Sequence, residues 1–308
     1  MLTILELDSF TIGLKTILNR LDYAVDYPYL LGRTGHGARF SLAMNTKTGK
    51  EIGHPSGHYS WDVIAVLEHC FPSAGIDATL YIGPGYATRA RKTAAQSSRQ
   101  LPVNVIELSS YDLDRKINGN LLYADESGQW QIANSTDAIE VDWSKLPFGP
   151  VIFNIQGMMR QSGFPAGTMR YLVDTIERGE EPMEIRGRNN YSTVSGWKAY
   201  ARWMQSFAVP LPDVQHEHLQ SYPDLLYERR LGFVRFLEQL KDECEAEQIE
   251  LIVGLLQRYR PVVSLLDELR QSNPTMEQIR SVYFAEQKTQ TYYKKIDTYL
   301  THHYSPSQ

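Results

Sequence analysis

The sequence predicts an α+β protein with a helical bundle appended at its C-terminal end. Three observations predict it. An apolar stripe at helical spacing opens the chain, a run of short alternating segments fills its middle, and the last third reads as helix.

In "DSFTIGLKTILNRLDYAVDY", Leu14, Ile17, Leu18 and Leu21 recur at helical spacing, with Asp8 or Ser9 as N-cap. A buried helix over residues 9–22 is expected. Pro28 and the glycines from Gly32 mark a loop, and "ARFSLAMN" alternates as a strand before the "NTKTGK" turn. "YSWDVIAVLEHCF" reads as a second helix, with Trp61, Ile64, Val66, Leu67 and Cys70 mostly on one face. "ATLYIG" is a short strand broken by Gly83-Pro84-Gly85, and "ATRARKTAAQSSRQ" is a polar helix. Next come "PVNVIEL", "GNLLYAD", "GQWQIAN", "AIEVDW" and "PVIFNI", separated by Asp, Asn, Gly and Pro. They predict one antiparallel sheet using residues 103–108, 120–123, 130–133 and 151–155, with the first helix packed on it.

Beyond Ile155 the character turns helical. "AGTMRYLVDTIERG" is one helix and "SGWKAYARWMQSF", with an N-cap serine, is another. The proline-rich "AVPLPDVQHEHLQSYP" reads as a connector over residues 208–223. It separates an α+β domain (residues 1–207) from a helical domain (residues 224–308). That last domain holds three helices, the second kinked at Pro261. Phe233, Phe236, Leu237, Leu240, Leu255 and Leu256 are its expected core, and the tail "HHYSPSQ" is expected to fray.

Bulk properties exclude several classes. A length of 308 residues allows one large or two smaller domains, and 42% hydrophobic residues can fill their cores. A formal net charge of −5 argues against a nucleic-acid binder, which needs a basic surface. Arg89, Arg91, Lys92 and Arg99 read as a solvated helix face. The two cysteines, Cys70 and Cys244, neither form a disulfide framework nor join histidines at zinc spacing. Glu6, Asp8 and Lys15 interrupt the first apolar pattern, so no signal peptide is expected, and no run is long enough for a bilayer. No membrane association is expected, and the cytoplasm is the default compartment.

The segment "LLGRTGHGARFSL" surrounds His36 with Gly32, Gly35 and Gly37. It lacks the Lys-Ser/Thr ending of a P-loop and leads into a strand, where phosphate motifs need a helix. The glycines fit a turn that requires positive φ and close backbone approach. His36 is either a surface loop histidine or, since the loop comes after the first helix, a base beside Ser9 in a rearranged nucleophile–base pair. His54 and His58 with Asp62 have loose metal-ligand spacing, but Pro55 and Gly57 make that segment a loop; no metal and no cofactor is expected. His216 and His218 fall in the polar connector. Tyr111, Tyr123, Trp130 and Trp143 line either a groove or the core.

The order of several phrases resembles a bacterial family, the proteins related to the N-terminal part of butirosin biosynthesis protein H. These phrases are "SFTIGLKTILNRLDY", "LLGRTGHGARF", "RQLPVNVIEL…NGNLLYADESGQW", "DWSKLPFGPVIFNI", "GWKAYARWM" and "ERRLGFVRFLEQL". The resemblance implies a papain-like fold, similar to peptidases that cleave double-glycine leaders. It implies a nucleophilic cysteine at the N-terminus of the central helix, a histidine before a strand ending in Gly-Tyr-Asp, and a place in natural-product metabolism. This sequence departs from that pattern. The helix start offers Ser9, the phrase is Tyr123-Ala124-Asp125, and Ile117, Asn118 and Gly119 stand where the base belongs. A helix N-terminus contributes about 0.3–1 kcal/mol toward a nearby negative charge, on the order of one pKa unit. That helps a thiol but not a serine hydroxyl, which needs a positioned base.

The expectation is a catalytically degenerate papain-like protein that binds a small molecule, a peptide or a carrier-bound acyl group. Arg39, Tyr123 and Asp125 are its expected ligand contacts. The alternatives are an acyl- or aminoacyl-transferase or amide hydrolase using Ser9 and His36, and a structural interaction protein. Assembly as a homodimer stays open.

Overall fold

The computed structural model describes residues 8–45, 66–81, 103–107, 121–124, 130–133, 138–139, 151–178, 180–185, 188–207, 213–272 and 274–304. Helix α1 spans Ser9–Arg20. Its N-cap is Asp8, whose carboxylate accepts from the Thr11 amide at 2.8 Å and the Thr11 hydroxyl at 2.7 Å. Of the two expected caps, Asp8 is the one used, and Ser9 is the first helical residue. Phe10, Leu14, Ile17 and Leu18 are buried, as their spacing requires. The helix closes with Leu21 as its C-cap, near residue 22 as expected, and Asp22 takes a positive φ of 63°.

The segment expected as a loop begins with a helix, α2, Tyr27–Arg33. Asp26 caps it by accepting from the Tyr29 amide at 2.7 Å, and Pro28 sits in the first turn, where a missing N–H costs nothing. Among the three loop glycines only Gly35 has positive φ, 74°. Gly32 instead lies within α2 and allows close approach: a Cβ there would lie 2.0 Å from the Phe236 ring.

Strand β1, Ser41–Asn45, comes next. The second expected helix is described only from Val66, where Val66–Cys70 forms a π-helical turn leading into the short α3, Phe71–Ala74. Strands β2 (Ile76–Tyr81), β3 (Val103–Glu107), β4 (Leu121–Ala124), β5 (Trp130–Ile132), β6 (Ala138–Ile139) and β7 (Val151–Met158) form one sheet. Its order is β2-β7-β3-β4-β5-β6, with every pairing antiparallel, as expected from the mid-chain run of segments. Val105, opposite Phe153, is buried together with Leu121, Ala133 and Ile155. Helix α1 packs on this face: a Cβ on Gly13 would meet the Leu121 side chain at 3.1 Å and Ala133 at 3.3 Å.

Helix α4, Ala166–Arg178, leads to β8 (Glu180–Ile185) and β9 (Arg188–Ser195). The sequence pattern does not announce these two strands; with β1 they make a second antiparallel sheet, ordered β1-β9-β8. Ser195 does not begin a helix but ends β9, where its hydroxyl meets that of Ser41 at 2.8 Å. Helix α5 is Trp197–Phe207.

Helix α6 runs over Asp213–Leu240 with Pro223 inside it, so the latter part of the expected connector is helical and continuous with the first helix of the bundle. His216 and His218 lie in this helix. A 3-10 turn, Lys241–Glu243, joins it to α7, Ala246–Arg270, which contains Pro261. The expected last helix divides at Lys288 and Thr289 into α8 (Met276–Gln287) and α9 (Gln290–His303). Capping boxes start α7 (Glu245 with Gln248) and α8 (Thr275 with Gln278). All six residues expected in the bundle core are buried, and one apolar cluster runs from Phe10 to Leu300. The mixed helix and antiparallel sheet make the protein α+β.

Candidate functional site

The N-terminus of α1 is built into a buried ionic cluster. Arg229, from the middle of α6, donates from Nε to Asp8 Oδ2 at 2.8 Å and also from Nη2. The Asp8 amide donates to Tyr27 Oη at 3.0 Å and to Glu228 Oε1 at 3.3 Å, and the Tyr27 hydroxyl donates to the same Glu228 oxygen. Burial, then Asp8 and Glu228, raise the Tyr27 pKa far above its ordinary value, so its proton stays in place. Asp8, Tyr27, Glu228 and Arg229 are all buried. A buried ion pair of this kind is held by its geometry, since each ion has surrendered its hydration.

The glycine loop brings His36 to the same place. Its Nδ1 lies 3.6 Å from Asp8 Oδ1, and its ring packs edge-on against Phe10 with centroids 4.8 Å apart. His36 is therefore beside both residues that flank Ser9 in sequence, and it is buried rather than on the surface. Burial lowers its pKa to about 4 against the opposing pull of Asp8, leaving a neutral imidazole at pH 7. A neutral ring has the protonation state a base needs, but a pKa near 4 makes it a weak one.

Arg39, an expected ligand contact, is buried and donates to Tyr171 Oη at 2.5 Å. The next layer fixes the loop: Arg230 donates to the Gly37 and Arg39 carbonyls at 2.9 and 3.3 Å, to the Tyr200 hydroxyl at 3.2 Å and to Glu286. Burial opposes the charge on Arg230, and Glu286 outweighs it, raising the guanidinium pKa. Tyr123, on β4, is buried, donates to Gln131 Oε1 at 2.8 Å and carries the Arg20 guanidinium 4.7 Å from its ring centre. Asp125, Ile117, Asn118, Gly119, Tyr111, Trp143, His54, His58, Asp62 and the Arg89–Arg99 cluster lie outside the described residues.

Neither cysteine is poised as a thiolate. Burial raises Cys70 to about 12, despite Thr168, and Cys244 to about 11, despite Arg33. Among the described residues no group of His, Cys, Asp and Glu gathers as a metal site, and no helix is long and apolar enough to cross a membrane.

A cavity of about 480 Å³ opens between the π-helical turn with α3 and helix α4. Glu68, His69, Ser73, Gly167, Arg170, Tyr171 and Asp174 line it, with Pro72 and Ala166 as its apolar part. Tyr171 links it to the glycine loop: it takes the Arg39 hydrogen bond, and a Cβ on Gly35 would meet its ring at 3.3 Å.

From sequence Asp8 reads only as a cap, and sequence reasoning misses Tyr27, Glu228, Arg229 and the cavity residues. One signal points to the cluster. "LLYERRLGFVRFL" sets three consecutive charges within an apolar helical stretch, where a solvated face would alternate. No family model matches the chain, and no curated protein matches it.

Proposed function

We propose that this protein is a catalytically degenerate, papain-like, cytoplasmic protein of natural-product metabolism that binds a small molecule, a peptide or a carrier-bound acyl group. One observation carries the reading. The start of α1, where a papain-like enzyme holds its thiolate, is filled by Asp8, whose carboxylate is closed off by Arg229. Negative charge already occupies the position that the helix dipole would lend to a nucleophile. Both thiols are shifted away from the reactive form, which supports the same reading.

The geometry also favours a second reading, a transferase or hydrolase using Ser9, because His36 lies against both neighbours of Ser9. Labelling with a fluorophosphonate separates the two. The binding reading expects no stoichiometric labelling of Ser9, and alkylation of Cys244, the partly exposed thiol, should leave ligand binding unchanged. Since Asp8 supplies the cap, Ser9→Ala should also leave stability within about 0.5 kcal/mol of the parent. Stoichiometric labelling of Ser9 that disappears in His36→Gln overturns the binding reading and establishes Ser9 as the nucleophile of a transferase or hydrolase.

A further inference from the structure

We propose that the cavity between the π-helical turn and α4 is a binding site for a free α-amino acid. The proposal rests on the binding reading and gives that reading a location and a ligand class.

Volume, charge and a cradle all point the same way. About 480 Å³ falls within the range of roughly 300–1,000 Å³ of small-molecule sites. Arg170, on α4, and Glu68, on the π-helical turn, line the cavity from its two sides. Arg170 is anchored, with Nη2 donating to the Tyr304 carbonyl at 3.0 Å and the Leu300 carbonyl at 3.4 Å at the end of α9. A guanidinium carries five N–H donors, so this anchoring leaves others for a ligand while fixing where they sit. An ordered cation opposite a carboxylate suits a molecule with both charges. A bare amine would face Arg170, and a bare acid would face Glu68, with Asp174 as a second carboxylate on the rim.

The floor of the cavity is shaped for close approach. A Cβ on Gly167 would lie 2.7 Å from the His69 carbonyl oxygen and 2.8 Å from Ser73 Oγ, so only glycine lets α4 approach the π-helical turn and α3 this closely. The neighbouring Thr168 amide donates to Ser73 Oγ at 3.2 Å, whereas the Gly167 amide donates to no other described residue. The ligand carboxylate would take the Gly167 N–H and Arg170, its ammonium would take Glu68, and its side chain would lie along Tyr171 and Pro72. Cysteine and serine chemistry play no part.

Isothermal titration of the full chain tests this, using each common L-amino acid, then the tightest binder as its amide and its N-acetyl derivative. The expected result is a dissociation constant between about 1 μM and 1 mM for at least one free amino acid, and about tenfold weaker binding of each blocked form. Glu68 is exposed, so Glu68→Gln should fold normally; it should weaken the free amino acid about tenfold and leave the N-acetyl form unchanged. Gly167→Ala should abolish binding by both forms. The proposal is overturned if no amino acid binds at about 10 mM, or if Glu68→Gln titrates like the parent. S-acetylpantetheine binding together with no binding of any free amino acid would sink this site alone and leave the general binding reading standing.

Discussion

Arg229→Met removes the cation from a carboxylate that has no contact with water, and its cost can be worked from the geometry. Asp8 is 0% exposed and Arg229 1%. At the 2.8 Å between Arg229 Nε and Asp8 Oδ2, an effective dielectric of about 20 gives an attraction of about 6 kcal/mol. Desolvation of both ions offsets much of that, so the pair as a whole contributes little compared with an apolar replacement. Breaking it from one side is different, because the carboxylate stays buried without its cation. The expected loss is about 3–5 kcal/mol, a large part of the roughly 5–15 kcal/mol that holds a typical protein folded. Thermal unfolding should shift down by roughly 6–15 °C. The double variant Asp8→Asn/Arg229→Met removes the stranded charge and keeps a capping side chain. It should be more stable than the sum of the two single changes by about 1–3 kcal/mol, read from urea midpoints. A single variant within about 1 kcal/mol of the parent, or a strictly additive double variant, would refute the reasoning.

His36 makes a pH prediction. Its folded pKa of about 4 lies below its ordinary 6.5, through burial and the nearby Arg39 and Arg229 cations, with Asp8 pulling the other way. Below pH 6.5 the unfolded chain takes up a proton that folded His36 refuses, so this contribution to stability falls as pH drops from about 6.5 to 4, by roughly 3 kcal/mol in total. Urea midpoints at pH 7 and pH 4.5 should fall further for the parent than for His36→Gln, and equal falls would contradict the assignment. Gly32→Ala places a Cβ 2.0 Å from the Phe236 ring and should destabilise by about 1–3 kcal/mol, whereas the extra helix propensity alone would stabilise α2. The double variant Gly32→Ala/Phe236→Leu should recover part of that loss; no recovery would locate the strain elsewhere.

Features that depend on neighbours along the chain are legible in the sequence. Leu14, Ile17 and Leu18 set the face of α1 through a period that only a helix turns toward one side. The short mid-chain runs set the strands β3, β4, β5 and β7, and Phe233, Phe236 and Leu237 set the core face of α6. Long-range packing took over where local signals were weak or conflicted. Gly32 reads as a loop residue, yet it lies within α2, where the Phe236 ring occupies the space a side chain would need. "EEPMEI" does not alternate as a half-buried strand should, and β8 exists because β9 supplies its hydrogen bonds. The candidate site lies furthest from local reading. Asp8 and Arg229 meet across a sequence separation of 221, and His36 joins them by way of a loop that Arg230 holds in place. Residue type at each position permitted those charges to be buried. Only the fold, by excluding water from all of them at once, made each one require the others.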